Sequence, residues 1–161
     1  MDIRQATVED WQEIWPIFHE VVSAGDSYPY SPETTKGKGY RLWMEKPERT
    51  YLCELDGEVV GTYYIKPNQP GLGSHVCNCG YMVASEARGR GVATEMCRHS
   101  QQLARELGYD AMQFNLVVAS NERAVRLWRH LGFETIGRLP KAFRTPEGDY
   151  QDAFVYYKLL K

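Results

Sequence analysis

A surplus of positive charge is missing from this chain: 19 lysines and arginines face 21 aspartates and glutamates, a formal net charge of -2 over 161 residues. A nucleic-acid binder working through bulk electrostatics needs the opposite balance, which argues against that class. Long apolar runs are missing too. Nothing approaches the ~18 consecutive apolar residues of a membrane-spanning helix. The N-terminus, Met1-Asp2-Ile3-Arg4, becomes charged at once, so no secretory signal is read there and a cytoplasmic protein is expected. Cysteine is sparse, and Cys53, Cys77, Cys79 and Cys97 form no C-x-x-C pair and have no histidine at finger spacing. Cys77 and Cys79 would share one face of a strand, as small buried residues rather than ligands, so no metal is expected. His19, His75, His99 and His130 stand singly, which gives a hydrolase triad little support. No repeat, low-complexity tract or linker divides the chain. Residues 1–161 are therefore expected to form a single domain with a real core.

Against these absences stands one sharp presence, Arg88-Gly89-Arg90-Gly91-Val92-Ala93. Upstream, Cys79-Gly80-Tyr81-Met82-Val83 reads as a strand. Downstream, Ala93, Met96, Cys97, Ser100, Leu103, Ala104 and Leu107 recur at helical spacing, and Gly108 is placed to end the helix. A strand, a glycine-punctuated turn and a helix N-terminus make an anion site: glycines admit close approach, free N–H groups point outward and the helix dipole adds positive potential. Arg88 and Arg90 add cationic charge. The plainer alternative is a tight turn whose glycines only satisfy positive φ and whose arginines are solvated. Two familiar phosphate loops are excluded. A Walker loop needs Lys-Ser/Thr where Val92-Ala93 stands, and a dinucleotide fingerprint needs a third glycine where Thr94 stands.

The rest of the chain reads as mixed α/β. Ile3–Ala6 suits a short strand, and Thr7-x-x-Asp10 is a near capping box. It opens a helix with an apolar stripe of Trp11, Ile14, Trp15, Phe18, Val21 and Val22, and Pro16 predicts a kink. Ser31-Pro32-Glu33 suits the start of a weak second helix that ends before Pro47. Tyr51–Leu55 and Glu58–Ile65 are strands joined by Asp56-Gly57, a type I′ hairpin signal. His75–Val83 is a central strand, and Ala111–Val117 another, with Met112, Phe114 and Leu116 on one face. Asn121–Leu131 is a helix that Asn121 can cap. Phe133–Gly137 and Ala153–Leu159 close the chain.

The Arg-x-x-Gly-x-Ala turn resembles the acyl-CoA binding motif of the GNAT superfamily of N-acyltransferases. The segment Asn121-Glu122-Arg123-Ala124-Val125-Arg126-Leu127-Trp128-Arg129-His130-Leu131-Gly132-Phe133 is similar to a second motif of the same superfamily, with Trp128 where tyrosine is usual. The element order matches as well, so the resemblance covers nearly the whole chain. It implies a GNAT-type α/β fold, with a mixed, mostly antiparallel sheet and a V-shaped splay between two parallel central strands, flanked by helices. It implies acetyl-CoA as cofactor. Backbone around Met82 and Val83 would pair with the pantetheine arm. Amides of Arg88, Gly89, Arg90, Gly91, Val92, Ala93 and Thr94 would bind the pyrophosphate, and Asn121, Arg123, Ala124, Leu127 and Trp128 would flank the cofactor.

Two departures bear on chemistry. Many relatives use a tyrosine at position 128 as general acid, which an indole cannot replace. Many carry a carboxylate base in the central strand, where Asn78 stands. Asn78, Asn115 and Tyr81 are therefore the candidate catalytic residues, with Tyr64 a second candidate acid. The asparagines, together with Gly25-Asp26-Ser27-Tyr28-Pro29-Tyr30, also resemble the fungal acetyltransferases of azetidine-2-carboxylate and other proline analogues. That implies a small amine or amino-acid-like substrate, with Tyr28, Tyr30 and Trp43 as pocket walls. The open alternatives are a protein N-terminus or lysine, an aminoglycoside held by Glu33, Glu45 and Glu48, or an acyl-CoA sensor without catalysis. Relatives often form homodimers through their C-terminal strands, and Phe154–Tyr157 would offer the apolar edge.

Overall fold

The computed structural model describes residues 1–161. Seven strands form one sheet: β1 (Asp2–Gln5), β2 (Arg49–Leu55), β3 (Glu58–Pro67), β4 (Val76–Val83), β5 (Ala111–Val118), β6 (Glu134–Arg144) and β7 (Tyr150–Leu159). Their spatial order is 1-2-3-4-5-7-6. Only β4 and β5 run parallel. Parallel neighbours need a long crossover, and the helix α3 (Val92–Glu106) supplies it. The other helices are α1 (Trp11–Ala24), α2 (Lys36–Tyr40) and α4 (Glu122–His130). No helix is long and apolar enough to cross a membrane.

The parallel pair is brief. β4 and β5 are in register only at Val76–Ala111 and Cys77–Met112, and beyond that they separate. β7 instead pairs antiparallel with β5 from Ala111 to Val118, pulling it away from β4. A register shift between Phe114 and Val117 adds to the divergence. It also breaks the expected alternation: Met112, Phe114 and Val117 are buried while Leu116 turns toward the gap. The V-shaped splay is therefore present, and its mouth opens toward the C-terminal ends of β4 and β5.

Helix α1 lies on one face of the sheet and α3 on the other. Trp11, Ile14, Phe18, Val21 and Val22 are buried as the stripe predicts, with Trp15 half-buried and Ile17 added. The helix runs from Trp11 to Ala24 through Pro16. Asp10 secures its entry, accepting from the two terminal nitrogens of the Arg4 guanidinium (2.8 and 2.9 Å) and from the Thr7 N–H (2.7 Å). These contacts hold the Asp10 carboxyl well below the usual range, the Arg4 bonds being the largest cause. On the other face, α3 seats on Gly61, where a Cβ would come within 2.9 Å of both Met96 and Val92. Only glycine allows that approach, and it sets the height of the helix N-terminus over the sheet.

Three expectations need correction. The second helix begins at Lys36, with the Thr35 hydroxyl accepting from the Lys38 N–H (3.2 Å), not at Pro32. Ser31–Thr34 forms a single turn, with the Thr34 N–H bonded to the Ser31 carbonyl (3.0 Å), and the extended backbone of Thr35 (ψ 162°) stops it from growing into a helix. A π turn over Arg41–Glu45 then continues α2. The closing strands are longer than read, because their outer half is exposed apart from Phe143 and shows no regular apolar alternation; Asp152 holds it through Arg138 Nε (2.7 Å) and the Lys141 N–H (2.9 Å). Finally, β7, which carries Phe154–Tyr157, lies between β5 and β6, so it offers no free edge. The edge belongs to β6. The Asp56-Gly57 hairpin is as expected, with φ of 53° and 80°.

Candidate active site

Where β4 leaves the sheet, a turn over Ser85–Ala87 leads into the glycine segment. Glu20 of α1 anchors that turn, accepting from the Ser85 N–H and hydroxyl, both at 2.9 Å. Gly89 and Gly91 take φ of 78° and 82°, a region that side chains other than glycine's resist. Helix α3 begins at Val92 with no side-chain cap. None of the amides from Gly89 to Thr94 has a hydrogen-bond partner within the chain. Nothing lies within 4 Å of a Cβ built on either glycine. Successive unpaired N–H groups at a helix N-terminus form a concave donor surface for an anion. Arg88, Arg123 and Arg126 line the adjoining cavity. Arg90 does not: its side chain turns back to Asp56 on the β2–β3 hairpin, 3.8 Å away, so only its amide belongs to the cradle.

The cavity, about 1150 Å³, runs from this cradle through the gap between β4 and β5. Peptide groups along a strand alternate in direction. The Ala84 N–H bonds the Val60 carbonyl of β3 (2.8 Å), so Tyr81 and Val83 present their polar groups to the gap and Met82 presents its own to β3. The Tyr28 hydroxyl occupies the Tyr81 position. It accepts from the Tyr81 N–H and donates to the Tyr81 carbonyl, both at 2.7 Å. Burial raises the Tyr28 pKa far above the ordinary tyrosine value, with Tyr30 a further cause, so the group stays protonated. Tyr30 stacks on Tyr28 at a centroid distance of 5.7 Å, and both line the cavity.

At the apex of the V, Asn78 stands one residue beyond the last paired position of β4. Its Nδ2 donates to the Gln113 carbonyl of β5 (2.9 Å), and its Oδ1 accepts from the Tyr64 hydroxyl of β3 (2.9 Å). The side chain thus replaces the missing backbone ladder and ties three strands together. Gly80, two residues on, leaves room for this: a Cβ there would meet Tyr64 Cε2 at 2.5 Å. Asn115 is on the same rim but does not touch Asn78. Its amide donates to Asn68 Oδ1 (2.7 Å) and its oxygen accepts from Gln113 (3.1 Å). Both asparagines line the cavity.

The other wall is α4. Asn121 Oδ1 caps it by accepting from the Ala124 N–H (3.3 Å), and Ala124, Leu127 and Trp128 face the cavity. Trp128 packs at 5.2 Å from the Tyr81 ring and 4.7 Å from the Phe114 ring. The Tyr81 hydroxyl is turned to α3, 2.6 Å from the Ser100 hydroxyl, and burial raises its pKa first, with Cys79 next. Trp43 is not a wall. It is fully buried behind Tyr64, edge-on at 4.9 Å, with its Nε1 donating to Thr62 (3.0 Å). Glu33, Glu45 and Glu48 are also absent from the lining, whose carboxylates are Asp26 and Glu122. Lys66 and Asn68 were missed by the sequence reading. They reach the site only because β3 pairs with β4 in a register that sets Lys66 opposite Asn78, and no local motif encodes that register.

Residues 5–133 match the Acetyltransferase (GNAT) family. Among curated proteins, the chain is 38% identical over 100 residues to N-acetyltransferase aca1 of Schizosaccharomyces pombe, covering 61% of this chain and 47% of that one. The chain thus spans about half the length of that relative. It is 32% identical over 119 residues to the L-amino acid N-acetyltransferase AaaT of Escherichia coli, covering 70% and 72% of the two chains. Among solved structures, a GCN5-related N-acetyltransferase from Kribbella flavida superposes with a TM-score of 0.90 at 42% identity, over 98% of this chain and 96% of that one. With the splayed parallel pair and the glycine cradle already in place, the match leaves one assignment: the chain belongs to the GNAT acetyltransferase family.

Proposed function

We propose that this protein transfers the acetyl group of acetyl-CoA to the amine of a small amino-acid-like acceptor, with both substrates bound together. The observation that carries the reading is the continuity of two features in one cavity. Unpaired amides from Gly89 to Thr94 suit a pyrophosphate, and the unpaired edge of β4 suits an amide-containing arm that adds as a strand. Acetyl-CoA, when bound, supplies an acyl group activated as a thioester.

The residues of the chain then divide the work. Arg88 and Arg123 balance phosphate charge, and Leu127 and Trp128 exclude water along the arm. The Tyr81 N–H, held in the free chain by the Tyr28 hydroxyl, is aimed into the gap and is a donor for an acyl oxygen. Tyr28, Tyr64 and Tyr81 all have pKa values raised by burial. Proton transfer from such hydroxyls to a thiolate of ordinary pKa, about 8.5, runs uphill, so they act as hydrogen-bond donors and not as acids. A thiol of that pKa leaves without one. Asn78 itself takes no proton, and the carboxylates and imidazole of the cavity, Asp26, Glu122 and His130, stand on the loop after α1 and on α4 and not on β3, β4 or β5, so the acceptor enters as the neutral amine or loses its proton to water. Asn78 ties β4 to β5 at the apex of the V, and Asn115 offers an amide on the acceptor side.

An amino-acid acceptor is favoured over a polycation because Lys66 lines the acceptor end and neither cavity carboxylate stands on β3 or β4. The test is thiol release from acetyl-CoA with amino acids, imino acids including azetidine-2-carboxylate, polyamines, aminoglycosides and an N-terminal peptide. Turnover with amino or imino acids is expected. Tight acetyl-CoA binding with no turnover of any acceptor would refute transfer in favour of a sensor.

A further inference from the structure

We infer that Lys66 is the recognition point for the acceptor's carboxylate, making the substrate a free amino or imino acid and not its amide, ester or peptide. This rests on the amino-acid reading above and sharpens it.

Lys66 is on β3, two residues after Tyr64, so the two side chains share a face of the sheet. The β3–β4 register sets Lys66 opposite Asn78. Its ammonium stands 5.3 Å from the centroid of the Tyr64 ring, and the hydroxyl of that ring bonds Asn78. Ammonium, ring and amide therefore form one connected group at the apex of the V, at the end of the cavity remote from the glycine cradle.

Lys66 has no carboxylate partner, which it shares with Arg88 and Arg123, but those two are exposed and Lys66 is not. It is half-buried, lines the cavity, and takes part in no ion pair or hydrogen bond within the chain. The nearby cations of the cradle, Arg88 and Arg123, lie at the other end of β4 and serve the phosphates. The two acids on the cavity wall, Asp26 and Glu122, come from the loop after α1 and the start of α4, and neither pairs with Lys66. A half-buried cation held over an aromatic ring, facing a cavity and lacking a counterion, is placed to bind an anion brought by a ligand. An α-amino acid brings a carboxylate one carbon away from its reacting amine. With the carboxylate on Lys66, the amine is directed past Asn78 into the gap beside the Tyr81 N–H. The same charge repels polyamines and aminoglycosides.

The test separates binding from turnover. A panel of N-acetyl-L-methionine, N-acetyl-L-phenylalanine and N-acetyl-L-proline, each with its C-terminal amide, is titrated against the whole chain and followed by tryptophan fluorescence and calorimetry. The acids are expected to bind about 10–100-fold more tightly than their amides, the range of a hydrogen bond to a charged group. Lys66→Met should erase the preference, and Lys66→Arg should keep most of it. In turnover, Lys66→Met should raise KM for the free amino acid by a similar factor, leave kcat within about threefold, and leave the amino-acid amide unaffected. The inference is overturned if no acid binds better than its amide, or if the preference survives Lys66→Met. If the acids bind with a Lys66-dependent preference but no amino acid is acetylated, Lys66 stands as a carboxylate site and the amino-acid acceptor class fails.

Discussion

Replacing Asn78 by alanine removes a side chain that closes the sheet where its backbone ladder stops. In the native chain Asn78 is 6% exposed, and its two polar atoms satisfy the Tyr64 hydroxyl and the Gln113 carbonyl, each at 2.9 Å. Alanine leaves both partners behind. A buried hydroxyl or carbonyl deprived of its partner costs about 1–3 kcal/mol. Tyr64 is 7% exposed and takes the upper part of that range, whereas the Gln113 carbonyl, only partly buried, takes the lower. The sum is about 2–4 kcal/mol of lost stability. For a chain of this length that lowers Tm by roughly 5–15 °C. Urea unfolding followed by circular dichroism measures it, with the m-value held as a check that the unfolded state is unchanged. Asn78→Asp keeps the acceptor for Tyr64 but sets a carboxylate oxygen against the Gln113 carbonyl, so it should destabilise as well. A midpoint for Asn78→Ala within error of the native chain's would refute the claim that this amide joins β3, β4 and β5.

Four further outcomes follow from the site. Gly91→Glu forces a side chain into φ of 82° and puts an acid in the anion cradle; acetyl-CoA affinity by calorimetry should fall at least about 100-fold, while turnover of S-acetylpantetheine, which lacks the pyrophosphate, changes little. Arg88→Ala should weaken acetyl-CoA about tenfold but Arg90→Ala less than about twofold, because only Arg88 lines the cavity; equal losses would contradict the geometry. With the acceptor entering as the neutral amine or losing its proton to water, kcat/KM for it should climb about tenfold per pH unit up to the acceptor's own amine pKa, whereas a plateau near neutrality would assign the proton to a base on the cavity wall. His99, whose Nδ1 lies 2.7 Å from the Tyr63 hydroxyl, has its pKa lowered from 6.5 by burial. Below pH 6.5 the unfolded chain therefore binds the extra proton first, so stability rises with pH up to that value and is lost as pH falls below it. Unfolding free energies between about pH 5 and 7 should show a shallower slope for His99→Gln, and an identical slope would remove His99 as the cause.

How much of this was legible beforehand depends on the range of the interaction involved. The cradle could be read from Arg88–Ala93 because positive φ at glycine, the helix N-terminus and the strand before it are all properties of neighbouring residues. The Asp56-Gly57 hairpin, the Asn121 cap and the buried stripe of α1 were legible for the same reason. Pairing between distant segments was not. Asp56-Gly57 sets the register of β2 on β3, but nothing local says that Lys66 meets Asn78, or that Asn78 meets Gln113 at the last rung before the strands part. Side-chain direction was equally hidden: Trp43 and Tyr30 look alike as aromatics near α1, yet one is core and the other lines the cavity. Arg88 and Arg90 look alike as cations, yet one turns to the gap and the other to Asp56.

The sequence by itself therefore determined the family and the glycine turn that opens α3, since both rest on short segments whose backbone conformation their own residues dictate. Tertiary structure alone decided which side chains line the end of the cavity remote from that turn. The insertion of β7 between β5 and β6 draws β5 away from β4, and the β3–β4 register then brings Tyr64, Lys66 and Asn78 to the opening, residues that no local preference would have grouped.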